Sequence, residues 1–265
     1  MSRVKADEQG RVILPDAFLQ RRHMPADAEY WLDEREGDLI LHPRVPDVRK
    51  VYVEPTTACN LHCRTCIRNV WDEPEAHMPM STFERLLEGM AALPSLKRVV
   101  FAGFGEPLGH PHIVETVEAV RKRDVAAGVG SNGLLLDARV ARELVCLGVD
   151  RVVISVDGVK PETYAGVRGA MLSQVLSNVR SLNEAKSQAN TSAPALGIEF
   201  VVLRNNVGEL SQLAALASQL NASRVLVSNV LPYTEEMRSE MQYGYEPRSP
   251  FNADTWPIRA GEFVL

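Results

Sequence analysis

Three cysteines, Cys59, Cys63 and Cys66, fall within eight residues of the segment EPTTACNLHCRTCIR, in CxxxCxxC spacing. Thiolates are soft ligands for iron and zinc, and a loop this short can wrap three of them around one metal centre. A structural zinc ion takes four protein ligands, and the nearby imidazoles of His62 and His77 are candidates for the fourth. Three cysteines alone suit a cubane iron–sulfur cluster whose fourth iron stays open to a small molecule, and an open iron is a place for catalysis. A second segment, FAGFGEPLGHP, combines Gly103 and Gly105 with Glu106 and Pro107. Glycines let backbone carbonyls approach a ligand closely, and an adjacent carboxylate favours an ammonium group. Gly130-Ser131-Asn132-Gly133 and Ser155-Val156-Asp157-Gly158 are two further polar segments, although Asn-Gly and Asp-Gly also serve as ordinary turns.

Loops this far apart in sequence need a scaffold that gathers them on one side. From Lys50 onward, apolar runs rich in β-branched residues predict six strands, at Val51–Val53, Arg98–Ala102, Val125–Gly130, Arg151–Val156, Gly197–Leu203 and Arg224–Val230. Helices are predicted between them at Ser81–Ala92, His112–Arg123, Asp137–Leu147, Leu172–Ala185 and Gly208–Gln219. Strands separated by helices pair in parallel, and the polar segments recur just after several of them. That is the pattern of a partial or full β/α barrel, whose active site lies at the C-terminal ends of the strands. Leu86, Leu87, Ile113, Val117, Leu144, Leu213 and Leu216 are expected in its core, and Cys146 as a buried structural thiol at a helix end. Beyond Val230 the sequence suggests no regular element, and Tyr233, Tyr243, Tyr245 and Trp256 are candidates to line the barrel mouth.

The first fifty residues read differently. Arg3–Asp7 and Arg11–Leu14 predict short extended runs around the Gln9-Gly10 turn, and Pro15 opens a helix through Arg22. Glu29–Asp33 and Asp38–His42 predict a second strand pair, followed by a linker marked by Pro43 and Pro46. The expected organisation is a small β-rich domain at 1–45, a linker at 46–49, a barrel at 50–233 and an irregular tail at 234–265. The length of 265 residues, against about 150 for a typical domain, agrees with two domains. At 45% hydrophobic and 24% charged residues, the composition excludes extended disorder and collagen-like repeats. With 29 basic and 34 acidic residues the net charge is −5, which argues against broad attachment to nucleic acid. The clustered cysteines do not form a disulfide framework, the N-terminus has no signal-like apolar run, and no apolar stretch of bilayer length exists, so a cytoplasmic protein is expected.

The cysteine motif, with Glu54-Pro55-Thr56-Thr57 before it and Asn60-Leu61 inside it, resembles the radical S-adenosylmethionine (SAM) superfamily from about Lys50 to Tyr233. This resemblance implies an α/β fold, a partial (β/α)6 TIM-like radical SAM barrel. It implies that Cys59, Cys63 and Cys66 hold a [4Fe-4S] cluster and that S-adenosyl-L-methionine chelates its open iron. Gly103, Gly105, Glu106 and Pro107 would hold the methionyl amino group; Ser131, Asn132, Ser155 and Asp157 match the strand ends that contact ribose and carboxylate. Arg168, in YAGVRG, matches an arginine that binds the carboxylate, for which a guanidinium fork is well suited. The implied activity is reductive cleavage of SAM to a 5′-deoxyadenosyl radical that abstracts hydrogen from a substrate, fed by a donor such as ferredoxin or flavodoxin.

The N-terminal segment, through Gly10-Arg11-Val12-Ile13-Leu14-Pro15, resembles the AbrB-type swapped-hairpin domain. That resemblance implies a homodimer formed through residues 1–45. Nine basic and ten acidic residues in Met1–Lys50 give little electrostatic support for DNA binding. The fusion of the two segments resembles radical SAM maturases associated with tungsten-cofactor oxidoreductases, implying an oxidoreductase or a peptide as substrate; pterin-cofactor chemistry stays open. Those relatives usually continue into a cysteine-rich auxiliary-cluster (SPASM) domain, whereas here no cysteine follows Cys146, so the expectation is a chain without it. Two other readings of the same residues are a dimeric DNA-binding regulator with an iron–sulfur redox sensor and a zinc-stabilised interaction module.

Overall fold

A computed structural model describes residues 8–9, 11–21, 30–35, 37–43, 48–241 and 262–264. The chain divides into two compact units, Met1–Val48 with Ala91–Ser95, and Arg49–Met90 with Leu96–Leu265. In the first, Pro15 precedes α1 (Asp16–Arg21) and its carbonyl accepts hydrogen bonds from Phe18 N at 2.8 Å and Leu19 N at 3.1 Å. β1 (Tyr30–Arg35) and β2 (Asp38–Pro43) pair antiparallel, and because Arg35 faces Asp38 the turn is two residues long, with Gly37 at φ +88°. The predicted extended run Arg3–Asp7 lies outside the described residues.

The second unit alternates strand and helix: β3 (Lys50–Val53), α2 (Met80–Ala91), β4 (Arg98–Phe101), α3 (Ile113–Arg121), β5 (Ala126–Ser131), α4 (Ala138–Cys146), β6 (Arg151–Ser155), α5 (Pro161–Arg168), α6 (Leu172–Gln188), β7 (Ala195–Val202), α7 (Leu210–Gln219) and β8 (Ala222–Asn229). The six strands β3 to β8 lie side by side in sequence order and pair in parallel, as expected for a partial barrel. Period-two burial fixes their faces. Val99, Phe101, Val152, Ile154, Phe200 and Val202 are all at most 2% exposed and face the helices, each contributing about 1.5–3 kcal/mol through burial. The alternate set, including Ala102, Gly130, Ser155 and Glu199, faces the lumen and lines a cavity. Among the described residues, no helix is long and apolar enough to cross a membrane.

The structure departs from the sequence expectations in four places. α5 was not anticipated, although Pro161 at its first turn and Gly169 just past its end, at φ +70°, are standard start and stop signals. Beyond Tyr233, where no element was expected, α8 (Glu235–Glu240) is capped by Thr234, whose hydroxyl accepts from Met237 N at 3.1 Å, and β9 (Glu262–Val264) pairs antiparallel with β8. Cys146 is exposed rather than buried, because the inward stripe of α4 consists of Val140, Ala141, Leu144 and Val145 and the next position turns outward. Leu86 is 37% exposed for the same reason, whereas its neighbour Leu87 is buried with Phe83 and Met90.

Candidate active site

The cysteine loop leaves β3 and is laced in place by its own backbone. Thr56 donates its hydroxyl to Ala76 O at 2.9 Å and accepts from Ala58 N at 3.0 Å, while Met78 N donates to Pro55 O at 2.8 Å. Arg64 N donates to Val167 O at 2.8 Å, so the loop is tied to α5. The Arg64 side chain pairs with Glu236 and, at 2.8 Å, with Glu240, which ties the same loop to α8. Met237 of α8 is buried in a cluster with Val167, Leu203 and Val230.

The glycine loop after β4 lies directly against the cysteine loop. A Cβ on Gly105 would sit 2.0 Å from Thr56 O and 2.8 Å from Ala58 O, so no larger residue fits without moving the backbone that carries Cys59. Glu54 accepts from Phe104 N and from Gly105 N at 3.2 Å, which occupies the loop's N–H groups. Glu106 was expected to face an ammonium. Its carboxylate is only 2% exposed and already accepts from Leu108 N (3.0 Å), the Ser131 hydroxyl (2.8 Å) and Asn132 N (2.7 Å). It therefore joins the loops after β4 and β5; burial raises its pKa, partly offset by these bonds. Gly105→Ala should force the cysteine loop to shift and break the Glu106 N to Ala58 O bond of 2.9 Å. A cost of about 1–3 kcal/mol in urea unfolding is expected, together with lowered iron retention, whereas Gly166→Ala, with nothing within 4 Å, should be harmless or stabilising.

The loop after β5 is held from behind by Asn178, whose side-chain amide donates to Gly133 O at 2.8 Å and Leu134 O at 3.0 Å. Asn132 donates from Nδ2 to Asn60 Oδ1 at 2.7 Å and reaches Cys59 Sγ at 3.8 Å. Its own Oδ1 accepts from Leu134 N at 2.9 Å. After β6, Asp157 is fully buried, accepting from Val201 N at 2.8 Å, and Asn206 donates to its backbone carbonyl at 3.0 Å. Arg168 places Nε 2.7 Å from Asp157 Oδ2, an ion pair without the alignment of a directed hydrogen bond, and Nη1 3.7 Å from Cys63 Sγ. Burial opposes the guanidinium charge, but Asp157 and Cys63 outweigh it and its pKa is raised. The Cys63 thiol is pushed up by burial, with Arg168 acting against the rise. Tyr164, beside them, is pushed up to about 12 by burial, and its hydroxyl has no hydrogen-bond partner.

α5, which carries Arg168, is anchored at its start by Glu209. That carboxylate accepts from Val159 N (2.6 Å), Lys160 N (3.1 Å) and the Thr163 hydroxyl (2.5 Å). Burial would raise its pKa, but these bonds lower it overall. A carboxylate with a lowered folded-state pKa stabilises fully above its unfolded value, and the gain is lost as pH falls through the folded value. Glu209→Gln should thus lower stability by about 1–3 kcal/mol at neutral pH, and the difference from the parent should vanish in denaturation curves well below pH 4.

One cavity of about 320 Å³ collects nearly all of these groups. Cys59, Cys63, Cys66, Gly103, Gly105, Glu106, Pro107, Ser131, Asn132, Ser155 and Arg168 line it, whereas Asp157 stands behind Arg168 and does not. Tyr233 lines the mouth; Tyr243, Tyr245 and Trp256 lie outside the described residues. Neither His62 nor His77 lines the cavity, so the proposed fourth zinc ligand is missing from its wall. The thiols share that wall without forming a preassembled ion-binding group among the described residues. The donor set fits an iron–sulfur cluster better than zinc. Three thiols and no imidazole line it, and the Arg168 guanidinium, paired with Asp157, stands beside Cys63 as a fixed positive charge suited to an anionic cluster. Glu199 was missed in the sequence. It is the acid in the apolar strand GIEFVV, pairs in register with Ser155, and lines the cavity with its pKa raised by burial and by Asp157.

Residues 53–201 match the Radical SAM superfamily. The chain belongs to that superfamily. Radical SAM proteins work with a [4Fe-4S] cluster and S-adenosylmethionine, so these are the cofactors that membership implies for this chain. A tungsten-containing aldehyde ferredoxin oxidoreductase cofactor-modifying protein from Pyrococcus furiosus is 34% identical over 197 residues, covering 74% of this chain and 55% of that protein. A PqqA peptide cyclase from Gluconobacter oxydans is 29% identical over 184 residues, 68% of this chain and 49% of its own. The chain thus spans about half the length of these relatives. Among solved structures, Streptococcus suis SuiB bound to S-adenosylmethionine superposes with a TM-score of 0.61 at 16% identity, covering 77% of this chain and 45% of SuiB. An anSMEcpe structure with bound AdoMet and a peptide gives 0.56 at 20% identity, covering 69% and 51%. At these identities the superpositions establish the radical SAM fold.

Proposed function

We propose that Cys59, Cys63 and Cys66 hold the cluster of a radical SAM enzyme and that the cavity they share with the loops after β4, β5 and β6 binds S-adenosylmethionine. The convergence of these loops on one cavity supports the reading. When bound, the pair supplies reductive sulfonium cleavage, yielding methionine and a 5′-deoxyadenosyl radical that takes hydrogen from a substrate. The protein's part is positional. Glu54 engages N–H groups of the glycine loop, Gly105 lets that loop lie against the cysteines, Glu106 locks two loops together, and Arg168 keeps a fixed positive charge beside Cys63. Ser155 and Glu199 present a hydroxyl and a carboxyl to the lumen, where ribose or substrate would lie. The names of the cofactor-modifying and peptide-cyclising relatives support maturation of a tungsten-cofactor oxidoreductase or modification of a peptide. A ferredoxin- or flavodoxin-like donor would supply the electron. Anaerobic reconstitution with iron and sulfide, followed by dithionite and S-adenosylmethionine, tests this reading. Broad charge-transfer absorbance and 5′-deoxyadenosine are expected; about one zinc with no iron, or a cluster without deoxyadenosine, would overturn it.

The N-terminal unit also supports a homodimer. Trp31, Leu32 and Leu39 on its hairpin are more than 60% exposed, and a two-stranded hairpin is marginal without further cover. Light scattering should give twice the chain mass of 29.3 kDa, and Trp31→Asp with Leu39→Asp should return the monomer. A monomeric parent at micromolar concentration would refute it.

A further inference from the structure

We propose that Asn132 and Arg168 are hydrogen-bond donors to the thiolates of Cys59 and Cys63, and that they set the reduction potential of the cluster those thiolates would hold. The inference rests on the cluster assignment above and goes beyond it, since resemblance assigns both residues to S-adenosylmethionine. Asn132 Nδ2 lies 3.8 Å from Cys59 Sγ and Arg168 Nη1 3.7 Å from Cys63 Sγ, distances suited to N–H donation to sulfur. Neither donor is loose. Asn132 is held at both ends of its amide, by Leu134 N and Asn60 Oδ1, and its backbone N–H is fixed on Glu106. Arg168 is held by the ion pair with Asp157, which is itself anchored by Val201 N. Such anchoring keeps each N–H near its sulfur whether or not a small molecule occupies the cavity. Cys66 differs: among the described residues no side chain donates to its sulfur.

Donation to a cluster thiolate withdraws negative charge from the sulfur and favours the reduced state, so losing a donor moves the potential in the negative direction. A guanidinium adds its positive charge to the same effect. Two thiolates of three would thus be tuned, and the third left basic.

The experiment measures the midpoint potential of the reconstituted cluster without S-adenosylmethionine, by spectroelectrochemical titration, in the parent, Asn132→Asp and Arg168→Lys. Asn132→Asp keeps the acceptor for Leu134 N and replaces the donor facing Cys59; Arg168→Lys keeps a positive charge for Asp157 and removes the fork that reaches Cys63. Both variants are expected to titrate at more negative potential at full iron and sulfide content, with additive shifts in the double variant. Potentials unchanged without S-adenosylmethionine, alongside weaker binding of it in equilibrium dialysis, would show both residues to be ligand contacts and overturn the proposal. Loss of iron from both variants would overturn it as well, by making the contacts structural; retention in either one decides. A parent that forms no cluster would instead refute the cluster assignment.

Discussion

Cys63→Ala is expected to abolish the cluster absorbance and reduce 5′-deoxyadenosine to background under reconstituting conditions. Cys63 is the buried one of the three cavity cysteines, at 8% exposure, and its neighbours are built around it. Arg168 Nη1 approaches its sulfur, its carbonyl accepts from Asn69 Nδ2 at 2.8 Å and from Cys66 N at 3.0 Å, and the next residue is bonded to α5. Removing the thiol would leave two cysteines for the proposed cluster, and no other cysteine lines the cavity to replace it. Cys146→Ala is the matched control. That thiol is exposed on α4, so the variant should retain iron, deoxyadenosine formation and stability within about 0.5 kcal/mol. Activity surviving in Cys63→Ala would move the metal site elsewhere.

Asp157→Ala should destabilise the second unit by about 3–5 kcal/mol, because removing one member of a buried ion pair leaves the other charge uncompensated. Asp157 is fully buried and the Arg168 side chain is 12% exposed. The substitution also removes the acceptor of Val201 N. Asp157→Asn keeps the size and that acceptor but not the charge, so its loss should be smaller. Urea midpoints of the three proteins, measured without iron, separate the structural contribution from any on the cofactor; equal midpoints would mean that Arg168 escapes to water when its partner is removed.

The barrel was legible because its signals are periodic. Apolar β-branched runs alternate with helices, and turn residues follow the strands at the positions where the loops meet the cavity. The cysteine motif was legible as a spacing, and so was the helix expected from Asp137, which caps it by accepting from Arg139 N and Val140 N. What stayed hidden depends on which face a residue turns. Cys146 and Leu86 belong to amphipathic helices but lie just off the buried stripe, and one position on a helix is a rotation of about 100°. Segment YAGVRG draws attention through its arginine, and the helix of eight residues that contains most of it is too short for its period to speak clearly, despite Pro161 and Gly169 at its ends. Asp157 and Ser155 look alike as polar residues after a strand, yet one is behind Arg168 and the other lines the lumen. Only the packing of Val201 and Asn206 around Asp157 distinguishes them. Glu54 and Glu209 act on N–H groups fifty residues or so away, and such pairings have no local signature.

The ion pairs between Arg64 and α8 join residues 172 and 176 positions apart, the first β/α loop with the segment after the last strand of the parallel sheet. Contacts so distant in sequence close only after the intervening chain has been organised, since loop closure costs entropy until the elements between have docked. The cysteines come early in the chain, but this strap on their loop is expected to close late. Iron uptake during refolding should therefore lag behind sheet formation, and the metal would enter a finished barrel rather than nucleate one.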